Sequence, residues 1–149
     1  MAEHEFVISK MVKGDIPDVL KLGFNAHDLA SDPHEPHFYD QSSLESLVMS
    51  PHLLYVARLR SDQRLSGFSI TTYNEYTKNA DLLVLEVDRN HRGAAKVLFD
   101  ATRIQLKALG CKRVIAWRVI NTSGSGMLTK EGFHMGGSRQ MMEYTFPRD

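Results

Sequence analysis

Between residues 92 and 109 the apolar side chains Ala94, Val97, Leu98, Ala101, Ile104 and Ala108 recur three or four positions apart. That period places them on one face of a helix, and Gly110 supplies a left-handed stop. The flanking segments have another rhythm. Residues 53–59 and 65–73 are rich in Leu, Val, Ile and Tyr, and the polar quartet Ser61-Asp62-Gln63-Arg64 between them predicts a hairpin. Residues 80–88 read as a third apolar strand, 6–12 as an earlier one, and 114–119 and 141–146 as two later ones. Helices fill the remaining intervals. Gly14-Asp15-Ile16-Pro17 opens one that runs to Ala30, with Asp15 as cap and Pro17 in the first turn. Ser42 or Ser43 caps a second that ends near Met49, before Pro51. A third spans 122–130, with Gly132 as its αL stop.

The resulting order is β, α, α, β, β, β, α, β, α, β. Hairpins in the middle require antiparallel neighbours, and the later helical crossovers require parallel ones. The predicted fold class is therefore α/β (α+β), a mixed central sheet with helices on both faces. No repeat, linker or low-complexity tract interrupts the pattern, so one domain over 1–149 is expected.

Composition removes several function classes. Eighteen basic and eighteen acidic side chains cancel, leaving no broad field to attract nucleic acid or an anionic membrane, and neither partner is expected. No apolar run approaches the roughly 20 residues of a membrane span. The N-terminus MAEHEFVISK lacks a signal-peptide pattern, and the single cysteine cannot form an intramolecular disulfide, so a cytoplasmic location is expected. Cys111 follows Gly110 at a packing position and has no identifiable activating base. His34 and His37, with Glu35 and Asp40, lie in a proline-bearing loop without further ligands at a recognised spacing, so no metal is expected. Trp117 alternates with Ile115 and Val119 as core. Met141 and Met142 suit packing against the sheet or a second copy, so a homodimer is allowed.

Candidate chemistry concentrates at residues 83–98, LVLEVDRNHRGAAKVL, where a strand runs through a basic, glycine-containing turn into the amphipathic helix. Free first-turn amides and the positive end of the helix dipole suit a pyrophosphate, and Gly93 permits close approach. Arg89, His91, Arg92 and Lys96 add positive charge. A solvated surface turn with an accidental basic cluster fits this one segment as well.

A second segment separates these readings. Residues 114–133, VIAWRVINTSGSGMLTKEGF, resemble the later signature of the GNAT acyltransferase superfamily: a strand ending at an asparagine (Asn121), a short helix carrying Gly124 and the pair Met127-Leu128, and an exit through Gly132-Phe133. Residues 87–97 are similar to the acyl-coenzyme A loop of the same family, with Arg92, Gly93, Ala94, Ala95, Lys96 and Val97 at the motif positions. Ala95 stands where glycine is usual, and Val97 where glycine or alanine is usual.

The resemblance implies a GNAT-type mixed sheet flanked by helices on both faces, in which the strand ending at Asp88 splays from the one beginning near Val114, with the pantetheine arm in the gap. Leu85, Glu86 and Val87 would offer it backbone groups; residues 91–97 and Asn121 would complete the acetyl-coenzyme A site. It further implies an N-acetyltransferase in which an amine attacks the thioester directly, through a tetrahedral intermediate. A GNAT-fold acyl-coenzyme A binder or interaction protein without turnover is the alternative. Asp81 and Glu86 are the carboxylates that can take the amine's proton, and their odd separation predicts opposite sheet faces. Leu128 occupies the position where many members carry a proton-donating tyrosine. Ser123, Ser125, Thr129 or Tyr144 would substitute, Ser125 being the candidate carried forward. His34, His37, Phe38 and Tyr39, between the first two helices, would shape the acceptor cleft, though a plain surface loop fits them too.

Overall fold

Alternating apolar side chains and a tight polar turn produce the central hairpin where the pattern predicts it. β1 (Phe6–Lys10), β2 (Leu53–Leu59), β3 (Leu65–Asn74) and β4 (Asn79–Val87) run antiparallel in that spatial order, and β5 (Arg113–Ala116) joins β4 in parallel. The computed structural model describes residues 5–25, 40–116, 129–134 and 147. The predicted strand 141–146, the loop 31–39 and the greater part of helix 122–130 lie outside these residues.

Two apolar clusters cover the sheet. Ile16 and Val19 of α1 (Ile16–Asn25) and Leu44 of α2 (Gln41–Val48) pack with Val56, Phe68, Ile70 and Val84 on one face. On the other, Ala94, Leu98 and Leu106 of α3 (Gly93–Ala108) pack with Phe6, Tyr55, Ala57 and Ala80. Helices on both faces follow from strands that are apolar on both sides.

Local chemistry moves several predicted boundaries. β1 stops at Lys10 because the Val12 amide donates to Asp15 Oδ2 (2.9 Å) and a 3-10 turn at Lys13–Asp15 leads into α1. Asp15 thus reaches backward instead of capping α1. Its other oxygen accepts Arg58 Nη2 at 2.8 Å, a bond that raises the Arg58 guanidinium above its usual pKa more than burial lowers it. Asp40, and neither Ser42 nor Ser43, caps α2: its Oδ1 accepts the Ser43 amide at 2.8 Å. Gly110 and Gly132 are left-handed, at φ 82° and 104°, as their predicted stop positions require.

The largest correction concerns Asp81 and Glu86. Asp81 pairs with Thr72 and Glu86 with Phe68, but the register slips by one residue between Ile70 and Thr71. The extra residue, Leu83, is a β-bulge. Thr72 and Phe68 are four apart on β3 and share a face, so their partners do too. Core membership agrees, since Ala80 packs on the α3 side and Val84 on the α1–α2 side. Both carboxylates therefore face away from α3.

Close contact at the end of β4 depends on Gly67, opposite Val87. A Cβ there would lie 2.9 Å from Glu86 O and 3.1 Å from Leu98 Cδ1. The carbonyl belongs to the ladder and cannot yield cheaply, so the pairing of β3 with β4 would have to open. Gly67→Ala is expected to cost about 1–3 kcal/mol in chemical denaturation; a loss under about 0.5 kcal/mol would contradict this packing.

Candidate functional site

The turn between β4 and α3 is built by Asp88. Its amide donates to Ser66 O (2.8 Å), tying the end of β4 to β3, and its Oδ1 and carbonyl accept the amides of Asn90 and His91, each at 2.9 Å. These bonds close a 3-10 turn at Arg89–His91 that delivers the chain into α3. Arg92 enters with helical dihedrals and no side-chain cap. Ala95 donates to Arg92 O (3.2 Å), and the amides of Arg92, Gly93 and Ala94 begin α3, where the helix has no carbonyl four residues back to offer them.

These first-turn N–H groups stand at the positive end of a sixteen-residue helix, about 24 Å of aligned peptide dipoles. Arg89, Arg92 and Gly93 are exposed there, and neither arginine makes an ion pair among the described residues. The arrangement fits two or three phosphate oxygens.

Other residues expected at this loop are engaged inside the protein. The His91 ring lies edge-on to Phe6 with centroids 6.4 Å apart, and its Nδ1 is 3.9 Å from Asp88 Oδ1. Lys96 Nζ turns to Asp100 Oδ2 (3.0 Å) and Glu131 Oε1 (3.7 Å). The Ala94 side chain is buried, and half-buried Val97 packs against the α3-side core. Of the basic side chains expected at this loop, Arg89 and Arg92 are the exposed ones without an ion pair among the described residues. Leu85 and Val87 face α3, while Glu86 is 7% exposed on the opposite side. Asp81 is half-buried on the same face as Glu86, roughly 15 Å away along the strand.

The later segment meets α3 directly. Phe133 packs against Phe99 with centroids 5.2 Å apart, and Glu131 reaches Lys96, so the Gly132-Phe133 exit is held against the first half of the helix. Sequence reasoning missed this clamp, although the spacing of Lys96 and Phe99, three residues apart, was the available sign. It also missed the turn-building role of Asp88, visible as an Asp just ahead of a helix start. The described pairing of β4 with β5 covers Asn79 to Leu82. The expected parting of these strands concerns residues from Trp117 onward, which lie outside the described residues, as do Asn121, Ser125, Leu128, Tyr144, His34, His37, Phe38 and Tyr39. Among the described residues no group of three or more His, Cys, Asp or Glu side chains could hold a metal ion. No described helix is long and apolar enough to cross a membrane.

No family model and no curated protein matches the sequence. Solved structures do match the fold. The PaiA N-acetyltransferase of Thermoplasma acidophilum in complex with coenzyme A superposes with a TM-score of 0.77 at 17% identity, over 90% of this chain and 92% of that one. The chain has the GNAT fold. An aminoglycoside acetyltransferase from an uncultured soil metagenomic sample, in complex with sisomicin, shares the GNAT fold with this chain at a TM-score of 0.70 and 17% identity, over 99% of this chain and 100% of its own. A ribosomal-protein-alanine N-acetyltransferase from Brucella melitensis biovar Abortus 2308 gives 0.70 at 20% identity, over 93% and 99%. In the GNAT fold of this chain, the β4–α3 junction presents the N-terminus of the longest described helix.

Proposed function

We propose that this chain is an acetyl-coenzyme A-dependent N-acetyltransferase, one domain over 1–149, acting by direct attack of an amine in a ternary complex. The observation that carries the reading is the junction of β4 with α3, where the first turn of a sixteen-residue helix meets the exposed Arg89 and Arg92 in a GNAT fold. The coenzyme-bound relative supports it.

In this reading the three amides and the Arg89 and Arg92 guanidinia hold the diphosphate, and backbone groups of Leu85 to Val87 orient the pantetheine arm. Asn121 lies beside that arm. The coenzyme supplies a thioester carbonyl activated toward amines. Glu86 removes the proton that an ammonium must lose before its lone pair is available. His34, His37, Phe38 and Tyr39 select the acceptor, a small molecule or a protein amine. Ser125 gives a proton to the departing sulfur, or the thiolate leaves unassisted, as a pKa near ~8.5 permits. A cytoplasmic location goes with this activity.

Leu128, in place of a donor tyrosine, favours the second reading, an acyl-coenzyme A binder without turnover. Calorimetry with acetyl-coenzyme A, coenzyme A and ATP tests both. Saturable binding of the two coenzymes and not of ATP is expected, and failure of both coenzymes to bind defeats both readings. Thiol release across an amine panel then separates them, turnover with at least one amine being the expected result.

A further inference from the structure

At the end of α3 remote from Gly93, a cleft of about 170 Å³ opens between the last turn of that helix, the end of β1 and the α2–β2 connection. Gln105, on its wall, lies twelve residues along α3 from Gly93, or about 18 Å. Ligand chemistry at the Arg92–Ala94 amides does not reach it.

The polar groups of this cleft are biased toward donation. His52 Nδ1 accepts the Tyr73 amide at 3.1 Å, so in the neutral ring the proton sits on Nε2, and the only polar atom left to a ligand is a donor. Lys10 is exposed, forms no ion pair among the described residues and can only donate. Gln105 offers an amide. Ser50 is already used on both sides, its hydroxyl donating to Leu47 O at 2.6 Å and accepting the His52 amide at 3.2 Å. Among the described residues no carboxylate lines the cleft, and Val48, Pro51 and Leu109 make its apolar wall.

The surroundings carry the same sign. Exposed Lys78, Lys107 and Lys112 sit at this end of the sheet, with Lys112 tied to Lys78 through a backbone bond of 2.7 Å; the exposed acid nearby is Glu75. A chain of zero net charge is therefore locally basic here, which draws small anions inward. The volume limits the guest, because an apolar cavity of roughly 150 Å³ takes a single benzene ring.

We propose that this cleft is a binding site for a small monocarboxylic acid with an apolar body of about one ring, separate from the site at the other end of α3. Lys10 and His52 hold the carboxylate, and the Val48–Pro51–Leu109 wall takes the apolar part.

The full chain, isotope-labelled, is titrated by NMR with sodium benzoate, with benzyl alcohol as the uncharged analogue and with inorganic phosphate as the bare anion. Benzoate is expected to saturate at millimolar concentration, shifting the amides of His52, Gln105 and Leu109, with the other two probes at least about fivefold weaker. Lys10→Met is expected to weaken benzoate by about tenfold, the scale of one charge-assisted hydrogen bond, without changing the spectrum elsewhere. Gln105→Leu serves as a second variant, with a smaller loss expected. The proposal is overturned by the absence of saturable shifts, by benzyl alcohol or phosphate matching benzoate, by shifts centred on Arg92 to Ala94, or by unchanged affinity in Lys10→Met. None of these readouts involves coenzyme, so the acetyltransferase reading stands or falls separately.

Discussion

Gly93→Asp is expected to weaken acetyl-coenzyme A by at least about a hundredfold while the melting temperature stays level or rises. The two effects have opposite signs because they draw on one field. An acidic side chain in the first turn of a helix complements the dipole and stabilises an exposed site by about 0.3–1 kcal/mol. The same charge beside a diphosphate is repelled: two unit charges about 5 Å apart at an effective dielectric near 20 interact by about 3 kcal/mol, enough for a hundredfold loss. Gly93 is exposed. Titration calorimetry and scanning calorimetry on one preparation read both quantities. Affinity within about threefold of the parent would remove the diphosphate from this turn, and a fall in melting temperature would remove the clean separation of binding from folding.

The second large effect is expected of Glu86→Gln. This change keeps the shape of a side chain that is 7% exposed and removes its ability to accept a proton. At neutral pH the amine-dependent kcat/KM should fall by about a hundredfold, within the usual range for a general base, with coenzyme affinity unchanged. The deficit should shrink as pH rises toward the amine's own pKa, about 10.4 for a lysine-like acceptor, because more of the amine then arrives deprotonated. Asp81→Asn, on the same face but roughly 15 Å along the strand, should stay within about threefold. A Glu86→Gln profile that runs parallel to the parent at every pH would assign Glu86 a structural role. A reversal of the two variants would make Asp81 the base.

Much of the fold was legible because its signals are local. The hairpin at 61–64 and the glycine stops rest on backbone preference within a few residues, and each appears where the pattern put it. The α3 stripe does not: the helix forms, but Ile104 is 64% exposed and Ala108 is exposed, while Phe99, Thr102 and Leu106 join Ala94 and Leu98 on the buried face. Helix α2 shows the limit of that reading. The sequence offered Ser42 and Ser43 as caps, whereas Asp40 takes the role, because which oxygen reaches which amide depends on where the chain enters the helix. The site was legible as a strand, a basic glycine turn and a helix. Basic residues in the turn counted alike in the sequence, yet Arg89 and Arg92 face solvent while His91 and Lys96 turn to partners in the protein.

By itself, the sequence determined the element order as far as β5, the mixed sheet and the place where a strand turns into a helix start, since these follow from side-chain period and from the unavoidable orphan donors of a helix start. Tertiary structure alone decided which face each carboxylate of β4 presents. The bulge at Leu83 is a mismatch in length between β4 and β3, and a slip between two strands leaves no mark on the alternation within either one. The same holds for Arg58 on Asp15 and for Phe133 on Phe99, pairs that are distant along the chain and meet only after the sheet and helices have packed.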